Sequence, residues 1–387
     1  MKFKKRHLFL ILLTTVSFVT LTATSSFSWS LLSMFSPKQF TDKDLLKLLN
    51  AEGNGTLELL PEMNPDDFFA SCENLSILQE QEVRKYLYIY LTTGRPYVIR
   101  AIENSKMYLP EMEELFNNNP DIHPDMIYIP LLESAFNPKA VSRTKATGMW
   151  QFVASTAAPL GLRKDNYVDE RYDVTKSTDA AIRHIRYLHN TLKNWELVIA
   201  AYNGGAGHIT RSINKSGTSD FWELVNKGAF REETNQYVPR FAALLIIYKN
   251  QEMFGLTEEL KSDSPAENEY VTFENPVTLS DVAKYGDTDI STLRKLNPEL
   301  LRNITPPYEK NYTLKIPKES KEKLEQSKEK KLSYIEFNKI IIYKVKKGDN
   351  LGSIARKHKT TLNKIAIVNS MSRPYRIKPG QLLYIPI

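Results

Sequence analysis

The pattern of apolar residues changes once along the chain, and this change limits which folds are possible. From about residue 40 to residue 255, apolar side chains recur at helical spacing, and no alternating strand pattern of any length occurs. Residues 83–91, 180–192 and 237–254 each place these side chains along one stripe. Beyond Gly255, short strand-like segments alternate with short helical ones. We therefore predict a mainly α-helical protein with small mixed modules at its carboxyl end.

Two proline-containing sequences are expected to interrupt helices in the amino-terminal part. Gly94-Arg95-Pro96 follows the stripe of residues 83–91, and Pro110 follows the helical pattern of residues 97–109. Proline has no backbone N–H to donate within a helix. We therefore expect one helix to end near Gly94 and the next to stop before Pro110.

The segments after Gly255 suggest two similar units. A polar stretch over residues 261–268 has the composition of a linker, and residues 270–317 suggest a strand, two short helices and a second strand. Residues 318–331, mostly lysine and glutamate, predict a solvated helix or a flexible linker. The same order of strand, helices and strand returns over residues 341–386. The carboxyl end is thus predicted to hold two βααβ modules.

Length, charge and cysteine content restrict the domain count and the chemistry. At 387 residues the chain is too long for one core, so two or three domains are expected. The net charge of +7 suits an anionic partner such as nucleic acid, lipid or an acidic cell wall. Cys72 is the only cysteine, which excludes an intrachain disulfide and a cysteine metal cluster. The six histidines show no metal-binding spacing, so no metal or cofactor is expected, and His184 and His189 are expected on an exposed helix face.

Residues 1–36 have the composition of an export signal. Basic residues precede an apolar run, and no charged residue occurs between His7 and Lys38. That uncharged length would also allow a retained membrane anchor of roughly 20 residues. We therefore expect export to the periplasm or cell envelope, with either a cleaved signal or a membrane tether. Export disfavours nucleic acid as the partner, and the sequence indicates no protein partner.

One carboxylic acid, Glu133, stands at the end of an apolar helical run over residues 127–132, with Ser134 beside it. Desolvation by such a run raises the pKa of a carboxyl group, as general acid catalysis near neutral pH requires. Amide and phenol groups of the kind that bind sugar hydroxyl and acetamido groups follow downstream. They lie in residues 148–152, 201–205 and 233–239, which contain Met149, Gln151, Tyr202, Asn203 and Tyr237.

This ordered set resembles the lytic transglycosylases of glycoside hydrolase family 23, and Met149-Trp150 is similar to their membrane-bound transglycosylase D subgroup. The resemblance implies a lysozyme-like catalytic domain over residues 121–256, preceded by a helical region over residues 37–120. It implies that Glu133 is the catalytic acid, with no second catalytic carboxylate, and that peptidoglycan is cut without consumption of water. The substrate's acetamido group would stabilise the cation, and its C6 hydroxyl would attack C1 to leave a 1,6-anhydro-muramoyl end.

The resemblance also implies roles for the other motif residues. Ser134 matches a hydroxyl that helps to orient the acid, and Gln151 matches a glutamine near the acetamido group. Tyr237 matches a tyrosine that reaches the acid from a later helix. The residues expected to bind substrate are Ser134, Met149, Gln151, Tyr202, Asn203 and Tyr237.

The final segment, residues 341–387, resembles a LysM module, a βααβ fold that binds glycans containing N-acetylglucosamine. Gly352 replaces the aromatic residue often found after the Gly-Asp turn of such modules. Residues 269–318 resemble a degenerate LysM without that turn, for which glycan binding and simple spacing are both open, and residues 319–340 would be a charged linker. The resemblance implies glycan contacts by Gly348, Asp349, Asn350, Leu351 and Ile377.

Two other functions are compatible with the sequence. A lysozyme-type hydrolase on the same fold would need a second carboxylate, for which Asp169, Glu170 and Asp173 are the candidates. Helix capping and an ion pair with Arg171 also explain those acidic residues. The other alternative is a peptidoglycan-binding protein with an inactive catalytic domain, against which the presence of Glu133 argues.

Overall fold

The structure of the chain, a computed structural model, describes residues 68–73, 76–260, 267–328, 340–371 and 373–387. The export segment expected over residues 1–36 lies outside these ranges. Within them, none of the helices combines the length and the apolar content needed to cross a membrane.

Residues 68–260 form a helical domain around one hydrophobic core. Its central helix is almost fully buried over residues 238–247 and packs against four other helices of the domain. Up to residue 260, the described chain has no strand beyond isolated bridges, which confirms the predicted helical domain. The helices are α1 (Phe68–Glu73), α2 (Gln81–Leu91), α3 (Arg95–Asn117), α4 (Ile129–Glu133), α5 (Ala154–Ala157), α6 (Val174–Leu192), α7 (Trp195–Gly204), α8 (Ala206–Ser216), α9 (Phe221–Asn226) and the central α10 (Glu232–Lys249).

The prediction that a helix stops before Pro110 is wrong. Helix α3 begins at Arg95 and continues through Pro110 to Asn117. A proline inside a helix costs about 3 kcal/mol, because one backbone hydrogen bond is lost. Burial of a large apolar side chain contributes about 1.5–3 kcal/mol, and α3 buries Met112 and Phe116 beyond the proline. Packing of the last turns of α3 therefore outweighs the local cost.

Two βααβ modules follow, as predicted. In module A, residues 267–328, the two strands pair antiparallel, with Asn268 opposite Pro317. The following charged run is helical and packs Leu324 into the core of module A. In module B, residues 340–387, the strands also pair antiparallel. Module A contains β1 (Asn268–Phe273), α11 (Leu279–Tyr285), α12 (Ile290–Leu296), β2 (Tyr312–Pro317) and α13 (Lys318–Lys328), and module B contains β3 (Ile340–Lys344), α14 (Leu351–Lys357), α15 (Leu362–Val368) and β4 (Leu382–Pro386).

Side-chain caps explain where several helices begin. The carboxylate of Asp173 accepts a hydrogen bond from the N–H of Lys176 at the start of α6 (2.9 Å). In module B, Asn350 and Ser353 form a reciprocal capping box at the start of α14. Each cap satisfies a backbone N–H that the helix leaves unpaired and contributes about 1 kcal/mol.

Residues 164–173, here called the junction segment, belong to the helical domain and pack against module A. Val168 is completely buried in the core of module A, although it belongs to the chain of the helical domain. The backbone N–H of Asp169 donates to the carbonyl oxygen of Glu299 in module A (3.0 Å). The junction segment therefore places module A directly against the loops that precede α6.

Candidate active site

Glu133 and Tyr237 meet at the end of helix α4. The hydroxyl of Tyr97 donates to the carbonyl oxygen of Leu131 (2.5 Å), which ties α4 to α3. The hydroxyl of Tyr237, on α10, donates a hydrogen bond to the carboxylate of Glu133. A hydrogen bond to an ionised acceptor is stronger than one between neutral groups, so it restricts the orientation of the carboxyl.

The carboxyl of Glu133 has a strongly perturbed pKa. Burial raises its pKa to about 7, while the hydrogen bond from Tyr237 and the charge of Arg240 act in the opposite direction. The nearby carboxylate of Glu233 raises the pKa further. A carboxyl group with a pKa near neutrality is partly protonated at pH 7 and can act as a general acid.

The turn formed by residues 147–152, here called the site turn, lies against Ser134 and Tyr202. Its two ends pair through backbone hydrogen bonds of 3.1 Å. The hydroxyl of Ser134 donates to the carbonyl oxygen of Met149 (2.7 Å), and that of Tyr202 donates to the carbonyl oxygen of Trp150 (2.9 Å). Two of the predicted residues therefore fix the backbone of the site turn beside Glu133.

Gln151 lies in the site turn with a backbone φ of 51°, in the left-handed region that few non-glycine residues adopt. Its side-chain nitrogen donates to the carbonyl oxygens of Gly148 (2.7 Å) and Ala140 (3.3 Å). These contacts orient the amide so that its oxygen can accept a hydrogen bond from a ligand. An unusual backbone conformation held by several contacts is a frequent property of functional sites.

Gly148 allows the junction segment to approach the site turn closely. Its φ is 85°, and a Cβ atom there would lie 1.7 Å from the carbonyl oxygen of Arg171. Arg171 forms a buried, bidentate ion pair with Asp169, and its guanidinium also donates to the carbonyl oxygen of Phe152 (3.0 Å). The ion pair of Asp169 with Arg171 and the cap formed by Asp173 confirm the structural explanation of these two acidic residues, whereas Glu170 pairs with Lys176. Sequence spacing gave no sign that Arg171 supports the site.

Asn203 connects α7 to α10 near the candidate acid. Its side-chain nitrogen donates to the carboxylate of Glu233 (3.3 Å), and its side-chain oxygen accepts from the hydroxyl of Thr234 (3.2 Å). Since the charge of Glu233 affects the pKa of Glu133, this network borders the same site.

The contacts of two predicted site residues differ from the roles expected for them. The hydroxyl of Ser134 binds the site turn rather than the carboxyl of Glu133. The side chain of Met149 is completely buried, so Met149 contributes to the site through its backbone carbonyl. Trp150 is also completely buried and donates its indole N–H to Thr178 (3.0 Å), as expected of a core residue.

The prediction that His184 and His189 lie on an exposed helix face is wrong. His184 packs against Tyr202, with ring centroids 5.6 Å apart, and burial lowers the pKa of its imidazole. His189 stacks on Trp195 at 4.0 Å. Both side chains are half-buried and therefore lie at the edge of the buried face of α6, where an imidazole presents its apolar body to neighbouring rings. Over the described ranges, no cluster of three His, Cys, Asp or Glu side chains could hold a metal ion.

Comparison with known families assigns the helical domain. Residues 116–225 match the family described as the transglycosylase SLT domain. Residues 116–225 of the helical domain therefore form an SLT domain. The matched residues include Glu133, the site turn and Asn203, whereas Tyr237 lies beyond them on α10.

The two modules that follow the SLT domain match families of their own. Residues 267–333 match the family described as the lytic transglycosylase MltD, LysM-like domain, and residues 343–386 match the LysM domain. Module A is therefore a LysM-like domain, and module B is a LysM domain.

Two relatives that match parts of the chain also carry transglycosylase names. The chain is 30% identical to the membrane-bound lytic murein transglycosylase D of Escherichia coli K12 over 274 residues, which are 67% of this chain and 59% of that protein. It is 31% identical over 137 residues to the membrane-bound lytic murein transglycosylase C of Edwardsiella ictaluri, or 30% of this chain and 37% of that protein. The chain thus spans 59% of the length of the first of these relatives.

Three of the residues predicted to contact glycan build the turn before α14 in the LysM domain. Gly348 is exposed, with a φ of 90°. The carboxylate of Asp349 accepts hydrogen bonds from the N–H of Lys346 (2.7 Å) and the hydroxyl of Tyr343 (2.9 Å). Asn350 caps α14, so its side-chain oxygen is already engaged with the backbone.

The other two predicted glycan contacts of the LysM domain lie deeper. Leu351 is buried in the core of this domain, and Ile377 is half-buried against the same core. Both residues therefore support the shape of the module, while Gly348 and Asn350 remain exposed at its surface.

Proposed function

We propose that the protein is a lytic transglycosylase that cuts the β-1,4 bond between N-acetylmuramoyl and N-acetylglucosaminyl residues of peptidoglycan. The observation that carries this proposal is Glu133, whose pKa is raised to about 7 and whose carboxyl is held by Tyr237 beside the site turn of an SLT domain. The names of the relatives, which are lytic murein transglycosylases, support the same reaction.

In the proposed reaction, the protonated carboxyl of Glu133 gives its proton to the glycosidic oxygen as the bond to C1 breaks. The 2-acetamido group of the muramoyl residue stabilises the positive charge at C1, and we propose that Gln151 orients that group. The carboxylate of Glu133 then takes the proton of the C6 hydroxyl, whose oxygen bonds to C1. No water is consumed, the acid is regenerated, and the product carries a 1,6-anhydro-muramoyl end.

A lysozyme-type hydrolysis would need a carboxylate that activates water. Asp169 is engaged with Arg171, and Asp173 caps α6, so neither is free for that role. Glu233 is exposed and close enough to raise the pKa of Glu133, which makes it the carboxylate that a hydrolytic mechanism would use. The two reactions differ in their products.

Mass spectrometry of muropeptides released from purified peptidoglycan tests the proposal. We expect fragments one water lighter than hydrolysis products, with anhydro ends. Glu133→Gln should lower the release by at least about 100-fold, because the general acid is lost. Reducing ends would indicate a hydrolase, and undiminished release by Glu133→Gln would exclude Glu133 as the acid.

We also infer that the LysM domain binds glycan and that the protein acts in the cell envelope, in keeping with the names of the membrane-bound relatives given above. The Glu133→Gln variant should therefore still sediment with insoluble peptidoglycan, because Glu133 lies outside the LysM domain. Cell fractionation tests the location, and recovery of the protein in the cytoplasm alone would contradict it.

A further inference from the structure

Two cavities lie between the SLT domain and module A, and they differ in charge. Of the three lysines that line the larger cavity, of about 370 Å³, two are already neutralised. Lys315 pairs with Glu111, and Lys176 pairs with Glu170. A charged ligand entering this cavity would have to displace these ion pairs.

The smaller cavity, of about 250 Å³ and here called the basic cavity, is lined by two cations that form no ion pair with any described residue. In the described part of the chain, neither Lys139 nor Arg294 belongs to an ion pair. Lys139 donates to the backbone carbonyl of Arg294 (2.9 Å), and Arg294 donates through Nε to the side chain of Asn303 (2.8 Å). The cavity is lined by Lys139, Tyr172, Arg294, Pro298, Leu300 and Leu301.

The charges around the basic cavity repel each other. Lys139 and Arg294 are both exposed where they line the cavity. Partial desolvation still lowers the pKa of Lys139, and the charges of Arg294 and Lys295 lower it further, while Glu299 partly compensates. An anion bound between Lys139 and Arg294 would relieve this repulsion. The apolar wall formed by Leu300 and Leu301 would suit a ligand that also carries aliphatic groups.

The basic cavity adjoins the site turn on the side of module A. Lys139 precedes Ala140, whose carbonyl oxygen accepts from the backbone N–H of Gly148 (2.9 Å) and from the side chain of Gln151. Tyr172 follows Arg171, whose carbonyl oxygen packs against Gly148. A glycan strand held at the site turn would therefore carry its substituents close to this cavity.

We propose that the basic cavity binds a carboxylate of the peptide stem that the muramoyl residue carries, so that module A contributes to substrate selection. This inference rests on the proposed transglycosylase function. The sugar rings are uncharged, and two cations beside an apolar wall match a short acidic peptide with aliphatic side chains. The lactyl carboxylate of a stripped muramoyl residue offers similar chemistry and must be distinguished from the peptide.

Cleavage of three forms of peptidoglycan by the full chain tests the proposal. The forms are native strands, strands whose carboxylates are amidated with a carbodiimide, and strands stripped of peptides by an amidase, which retain only the lactyl carboxylate. We expect Lys139→Gln combined with Arg294→Gln to lower kcat/KM on native strands by about tenfold, since two charge-assisted contacts are lost. On amidated and stripped strands, this variant should match the wild type.

Two control variants separate charge from folding. Lys215→Gln with Lys284→Gln makes the same change in net charge at exposed positions outside the cavity and should match the wild type on every substrate. Lys139→Arg with Arg294→Lys keeps both charges and should retain the preference for native strands. If it loses that preference as fully as the glutamine variant, charge is not what the cavity recognises and the proposal is wrong.

The remaining outcomes also decide the question. An equal loss on all three substrates, or no loss on native strands, would overturn the peptide assignment. A loss on stripped strands alone would assign the cavity to the lactyl carboxylate, and a loss on native and stripped strands that disappears on amidated strands would show that it accepts either carboxylate; both outcomes contradict selection for the peptide. If the wild type releases no fragments from any substrate, the proposed function itself fails, and this inference fails with it.

Discussion

Opposing contributions at single residues determine the acidity of Glu133. Burial disfavours the charged carboxylate and raises its pKa, whereas the hydroxyl of Tyr237 and the charge of Arg240 stabilise the charged form. The resulting pKa of about 7 allows the carboxyl to give a proton and to take one back near neutral pH. Tyr237 is therefore a positioning residue that also lowers the pKa of the acid.

Replacing Tyr237 with Phe should slow cleavage and move the alkaline limb of the pH profile to higher pH. Without the hydroxyl, the ionised form of Glu133 loses a donor, so its pKa rises and the acid stays protonated to higher pH. Loss of one hydrogen bond to a charged group should lower kcat by about tenfold. The rate of anhydro-fragment release across a pH series measures both effects.

Tyr202→Phe is the matched control for this prediction. The hydroxyl of Tyr202 donates to the carbonyl oxygen of Trp150 and not to the acid. The variant should therefore lose activity while its alkaline limb stays in place. An alkaline limb that does not move in Tyr237→Phe would mean that Glu133 is not the group whose ionisation limits the rate.

At the level of structural elements, the site turn is held from three directions. Ser134 at the end of α4 and Tyr202 on α7 bind its carbonyl oxygens. The guanidinium of Arg171 in the junction segment donates to the carbonyl oxygen of Phe152 and is itself fixed by Asp169. Since the turn carries Gln151, its shape determines where the contact proposed between Gln151 and the substrate's acetamido group would form.

Replacing Gly148 with Ala should abolish most activity. The new Cβ would meet the carbonyl oxygen of Arg171 at 1.7 Å, so either the site turn or the junction segment must move. A non-glycine residue with a left-handed backbone conformation costs about 1–2 kcal/mol in addition. We expect a lower free energy of unfolding in chemical denaturation and slower muropeptide release.

Gly161→Ala is the matched control, because it imposes the same backbone strain as Gly148→Ala without the steric clash. Gly161 has a φ of 78°, close to that of Gly148, but a Cβ there would meet no atom within 4 Å. This variant should lose about 1–2 kcal/mol of stability and keep its activity. Equal behaviour of the two variants would show that the contact between Gly148 and Arg171 does not shape the site.

Local patterns predict much of this arrangement, but they do not predict its contacts. The periodicity of residues 83–91 and 180–192 predicts α2 and the later part of α6, because both signals arise within a few turns of helix. The support from Arg171 depends on two loops that approach only in the folded domain, so no local spacing reveals it. Pro110 illustrates the same limit, because burial of the later turns of α3 outweighs a local helix-breaking signal.

At the level of the whole molecule, module A packs as a continuation of the SLT domain. Val168 of the junction segment lies in the core of module A, and Glu111 on α3 pairs with Lys315 on β2. The rings of Tyr167 and Tyr384 bring the LysM domain to the same segment, with centroids 5.2 Å apart. The basic cavity and the site turn therefore belong to one packed unit.

Replacing Val168 with Ala should loosen module A, although the substitution is made in the chain of the SLT domain. Removal of two buried methyl groups from the core of module A costs about 1–3 kcal/mol. The backbone amides of β1 and β2 should then exchange with deuterium faster, because local opening of this core becomes easier. Hydrogen-exchange mass spectrometry over residues 268–317 measures the change.

Val198→Ala is the matched control, because Val198 is as completely buried as Val168 but lies on α7, in the core of the SLT domain. It removes the same two methyl groups and should speed exchange first in α7 and its neighbour α10. If β1 and β2 exchange as slowly in Val168→Ala as in the wild type, module A folds without the junction segment. The basic cavity would then lie between two independently stable units, and its position beside the site turn would depend on their docking.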